Sequence, residues 1–73
     1  MIDKVFEYVQ HEYNNVIRIL EAETSWMNPT NVICGGFNRA YGAVSFFCII
    51  HPELENDVKE IWKVWDDKFL SLY

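Results

Sequence analysis

Apolar residues recur along the first third of the chain at helical intervals. Ile2, Phe6, Val9, Tyr13, Val16 and Leu20 follow one another at spacings of 4, 3, 4, 3 and 4. At about 100° per residue they share a face with Val5 and Ile17, inside an arc of roughly 120°. Asp3, Glu7, Gln10, Asn14, Arg18 and Glu21 fall outside that arc. A half-buried strand would alternate with a period of two, and this segment does not. The pattern predicts an amphipathic helix over about residues 2–24, with Asp3 near the positive end of the helix dipole.

The periodicity breaks over Thr24–Pro29. Asn28 is a good N-cap, and Pro29 is preorganised for the first position of a helix. Trp26 and Met27 are expected to close one end of the core. Beyond the break lie two neighbouring apolar seams. Ile33, Phe37, Tyr41, Val44 and Cys48 follow at 4, 4, 3 and 4; Gly36, Ala40, Ala43 and Phe47 follow at 4, 3 and 4. Together they cover roughly 160–200° of a helical wheel. This predicts a helix over about 29–50 that touches two neighbours, one of them approaching closely over Gly36 and Ala40. Against this, Gly35, Gly36 and Gly42 each cost a helix up to ~1 kcal/mol relative to alanine. Val44–Ile50 is also rich in strand formers, so a β-hairpin over 32–50 is the alternative.

His51-Pro52 ends the second segment, because the residue before a proline is pushed out of the helical region. A third helix is predicted over about 53–72. Its apolar stripe is Leu54, Val58, Ile61, Trp65, Phe69 and Leu72, with Trp62 at the edge. Glu55–Lys59 and Lys63–Asp67 are opposite-charge pairs four residues apart on the outer face. Asp57 and Glu60 offer an alternative start as a capping box.

Three amphipathic helices with short connections predict an all-α fold, an up-down-up three-helix bundle in one domain. The chain has 73 residues, a size at which one core rarely supplies more than ~3–5 kcal/mol. A staple or a second copy is therefore expected. Cys34 and Cys48 are 14 residues apart, or roughly 21 Å along a helix, too far for a disulfide. They read as buried free thiols, which suit the cytoplasm. The chain opens on an amphipathic pattern with no leader-like apolar stretch. Its most apolar run, Ala43–Ile50, falls short of the ~20 residues of a membrane span, and Asn38 and Arg39 interrupt any extension. No membrane partner is expected.

Charge narrows the partners further. Six Lys and Arg against eleven Asp and Glu give a net charge of −5, which disfavours a nucleic-acid-binding surface. Candidate chemistry is sparse. Glu7 and His11 share a face but lack a third ligand, and His51 suits a helix terminus. Neither cysteine has a base one turn away. Residues for a metal, a cofactor or a catalytic centre are not expected, and a domain this small has little room for a pocket of ~300 Å³.

Arg39, Gly42, Phe46 and Ile49 carry the functional expectation. With Gly35, Asn38 and Ser45 they lie on the back of the second helix, opposite both seams. Phe46 and Ile49 there form an apolar patch without a partner in the chain. The expected role is a protein–protein interaction or self-association module, a helical homodimer with Arg39 at the rim and Gly42 allowing close approach. Within one chain, Trp26, Leu70 or Tyr73 folding over the patch is the competing explanation. The other functional expectations are an acidic inhibitor or nucleic-acid mimic binding a basic protein, and a small apolar-ligand carrier.

Overall fold

The computed structural model describes residues 2–22 and 28–73. Three α-helices are present: α1 (Ile2–Glu21), α2 (Pro29–Ile50) and α3 (Glu55–Leu70), with a 3₁₀ turn at Pro52–Leu54. The fold is all-α, and the segment 32–50 is continuous helix rather than a hairpin. The predicted end of α1 beyond residue 22, and the roles given to Trp26 and Met27, lie outside the described residues.

Asn28 starts α2. Its backbone is extended (φ −77°, ψ 117°), and its side-chain oxygen accepts the N–H of Thr30 at 2.9 Å. Pro29 follows at the first helical position, where its missing N–H costs nothing. At the other end the His51 N–H still donates to the Phe47 carbonyl at 2.8 Å, and then the backbone turns extended. The first turn after Pro52 is 3₁₀, closed by the Leu54 N–H to the His51 carbonyl at 3.0 Å. Helix α3 therefore begins at Glu55, and the Asp57–Glu60 capping box is not its start. Its C-terminus tightens where the Ser71 hydroxyl donates to the Lys68 carbonyl at 2.7 Å.

Helix α2 is central. Ile33, Gly36, Ala40 and Val44 are its buried residues, and they meet Val9 and Val16 of α1 and Val58, Trp65 and Phe69 of α3. Contacts descend α1 as they climb α2: Val16 lies against Gly36, and Glu12 against Arg39. A Cβ at Gly36 would collide with Val16 Cγ2, so the small-residue seam does bring α1 close. Aromatic rings join the three helices. Tyr13 meets Trp65 and Phe69 edge-on at 5.7 and 5.4 Å, while Phe37 meets Trp62 and Phe69 at 5.6 and 5.8 Å. The molecule is elongated, 44 × 17 × 16 Å.

Several margins differ from the sequence pattern. Tyr41 and Ile61 sit at stripe edges and are exposed. Lys59 pairs with Glu55 at 3.2 Å, whereas Lys63 and Asp67 form no pair; Lys68 instead lies 4.2 Å above the Trp65 ring. Cys34 and Cys48 are both free, but each is half-buried rather than sealed in the core. By length and composition α2 is also apolar enough to cross a membrane. The reading from Ala43–Ile50 alone missed this, because a single arginine and two asparagines do not outweigh the isoleucines, valines, phenylalanines and alanines around them.

Candidate functional site

The outer face of α2 follows from its wheel. Helices α1 and α3 take adjacent sectors, and Gly35, Asn38, Gly42, Ser45, Phe46 and Ile49 are left on the far side. Phe46 is 63% exposed and Ile49 75%, and among the described residues nothing lies within 4 Å of where a Gly42 Cβ would stand. Ile50 (54%) and Tyr41 (51%) extend the apolar surface to either side. Leu70 and Tyr73 do not fold over it. Leu70 is itself exposed, and the Tyr73 hydroxyl lies 2.7 Å from Cys34 Sγ, more than two turns towards the start of α2. That contact raises the Tyr73 pKa, chiefly through the hydrogen bond to Cys34.

Arg39 was expected at the solvent rim, and the structure gives it a partner. Its Nε donates to Glu12 Oε2 of α1 at 2.7 Å. The guanidinium stays half-exposed, while Glu12 is only 7% exposed. The same carboxylate raises the phenol pKa of Tyr8, one turn earlier on α1, chiefly as a hydrogen-bond partner, with burial and the Glu12 charge adding and Arg39 opposing. A carboxylate this deep costs several kcal/mol in desolvation unless it is paired and hydrogen-bonded, and Arg39 and Tyr8 meet that need. Sequence reasoning missed Glu12. A signal was available: Glu12 falls between Val9 and Val16 of the apolar seam, three and four residues from them, and Arg39 is the lone charge of α2.

A groove of about 340 Å³ adjoins the same face between α2 and α3. Tyr41, Val44, Ser45, Cys48 and Ile49 line one wall, and Glu55, Val58, Lys59 and Trp62 the other. The expectation that so small a domain would leave no such space is corrected here. The reason is steric: near the turn at 51–54 the side chains that α2 turns to the gap are short (Ser45, Cys48), so they do not fill it. Ile49 belongs to both the groove and the apolar face, which makes them one continuous surface. Its chemistry is mostly hydrophobic, with a hydroxyl, a thiol and the Lys59–Glu55 ion pair at the margins.

His11 is exposed on α1, and the His51 imidazole lies 3.3 Å from a Glu53 carboxylate oxygen. Among the described residues no group of three His, Cys, Asp or Glu side chains is placed to hold a metal ion. No protein-family model, curated protein or solved structure matches this chain.

Proposed function

We propose that this protein is an up-down-up three-helix bundle that assembles as a homodimer through the outer face of α2, and that it acts as a protein–protein interaction module, by contact rather than catalysis. The observation that carries the reading is the exposed apolar surface of Tyr41, Phe46, Ile49 and Ile50 on a central helix. A helix apolar on every side is normally covered on every side. Four large side chains exposed by half to three quarters present roughly 500 Å² of surface, at about 150–250 Å² for a large side chain. A standard interface takes about 800 Å² from each partner, some 60% of it apolar, so Phe46 and Ile49 supply the centre of such an interface, with Tyr41 and Ile50 on opposite flanks of the helix at its edges. Gly42 supports the same reading. It costs the helix ~1 kcal/mol, and no described residue takes up the space its missing side chain leaves.

A protein cover fits this surface better than a lipid one. The net charge is −5, and the two cations beside the surface, Arg39 and Lys59, are paired with Glu12 and Glu55, which leaves little to attract anionic headgroups. The same charge disfavours nucleic acid. Unpaired thiols at Cys34 and Cys48 suit the cytoplasm. The groove of about 340 Å³ favours, as a second reading, a carrier of small apolar ligands; ordered ligand density or co-purifying lipid in native mass spectra would support it.

Light scattering over a concentration series tests the main reading. Wild type should show twice the 8.7 kDa chain mass. The double variant Phe46→Ser, Ile49→Asp should be monomeric and keep its helicity. A wild-type monomer at every accessible concentration refutes the proposal, as does a double variant that unfolds.

A further inference from the structure

We infer that the two α2 helices of the dimer run parallel, and that Phe46 of each copy fills the α2–α3 groove of the other. This rests on the self-association reading above and names what occupies the surface. Gly42 marks the midline of the outer face. On one side of it lie Ser45 and Ile49, which lean towards α3 and line the groove. On the other side lies Phe46, within about 20° of the direction of Arg39 by helical spacing, and Arg39 reaches across to Glu12 of α1. The outer face is thus a knob beside a hole: an apolar ring on the α1 flank and an apolar groove on the α3 flank, at the same height along the helix.

A two-fold axis relates these flanks in one of two ways. If it runs along the helices, the α1 flank of each copy meets the α3 flank of the other, and knob enters hole twice. If it runs across them, like flanks meet, and neither Phe46 ring enters a groove. A groove left without the ring forfeits the contacts its apolar walls would make with it, which favours the first arrangement. Size agrees with the first. A cavity of about 150 Å³ holds benzene, so the groove's roughly 340 Å³ admits the Phe46 ring with space for part of a neighbouring side chain. Charge agrees as well. The parallel arrangement sets Arg39, whose guanidinium keeps an exposed edge, towards the face of α3 that Asp66 shares with Trp62 by its spacing of four residues.

The test uses unmodified chain. An equimolar mixture of isotope-labelled and unlabelled protein, examined by isotope-filtered nuclear Overhauser spectroscopy, reads only contacts between copies. The expected result is cross-peaks from the Phe46 ring to Lys59 and Trp62 of the other copy. Phe46→Ala should also weaken dimerisation at least tenfold without loss of helicity. A dimer whose intermolecular cross-peaks join Phe46 to Phe46, or omit Lys59 and Trp62, overturns the parallel arrangement and leaves the dimer standing. A monomer by light scattering overturns the self-association reading itself, so the two failures are distinguishable.

Discussion

Placing a single methyl group at residue 36 tests how closely α1 and α2 pack. In Gly36→Ala the new Cβ would collide with Cγ2 of Val16, while the Glu12 carbonyl oxygen and Phe69 Cε1 would stand at 3.7 Å, ordinary contact. The collision cannot be relieved by a swing of the valine, because a β-branched side chain in a helix has one strongly preferred rotamer and Val16 is fully buried. Overpacking of this kind costs ~1–3 kcal/mol, and alanine returns up to ~1 kcal/mol of helix propensity over glycine. The net expectation is a loss of about 0–2 kcal/mol. The sign should reverse when Val16 is shortened. In a Val16→Ala background the offending methyl is gone, the propensity gain remains, and Gly36→Ala should stabilise by ~1 kcal/mol. Urea denaturation of the four proteins, followed by circular dichroism, closes the cycle, and the interaction energy should be ~1–3 kcal/mol. At this size 1 kcal/mol moves the melting midpoint by about 4–8 °C, so thermal scans resolve it too. An equal effect of Gly36→Ala in both backgrounds would show that Gly36 and Val16 do not touch and would refute the packing described above.

The remaining predictions concern the polar cluster, the thiols and the exposed glycine. Arg39→Met should destabilise by ~1–3 kcal/mol, reduced from a fully buried pair because the guanidinium is half-exposed; a midpoint within error of wild type would mean Glu12 finds water instead. The raised pKa of Tyr8 favours the protonated phenol in the folded state. Its contribution is therefore complete below the unfolded value of 10.0 and is lost as pH rises through the higher folded value. Wild type should accordingly lose more stability than Tyr8→Phe between pH 9 and 12, as read from urea midpoints, and parallel curves would count against the hydrogen bond. Titration of denatured, unreduced protein should find two free thiols per chain, and a mass lower by two hydrogens would contradict the helical separation of Cys34 and Cys48. Gly42→Ala, with open space around its new methyl, should raise the stability of dilute protein by ~0.5–1 kcal/mol; destabilisation there would mean that the site is not open.

The local structure was legible in the sequence because it depends on short-range rules. Asn28-Pro29 and His51-Pro52 punctuate the chain by capping and by proline sterics, and these act whatever packs nearby. The 4-3-4 spacing of α1 identified a helix for the same reason, and the wide apolar arc of α2 required two neighbours. Gly36 was legible as a close-approach position because a mid-helix glycine needs a compensating contact. What the tertiary structure alone decided is how far apart neighbouring elements stand. The place of Glu12 between Val9 and Val16 puts it on the seam face, but a carboxylate there sinks or stays in water according to what packs against it. Glu12 sinks because Gly36 and Ala40 bring α1 close enough for Arg39 to reach over it, and that distance is set by two helices jointly. The groove beside Ile49 has the opposite origin, since Ser45 and Cys48 are too short to fill the space that the 51–54 turn imposes between α2 and α3. A hydrophobic pattern says which residues face inwards. It carries no measure of whether the facing side chains meet, and at both ends of that range, an overfull contact at Gly36 and an underfilled one at Ser45, only the packed molecule gives the answer.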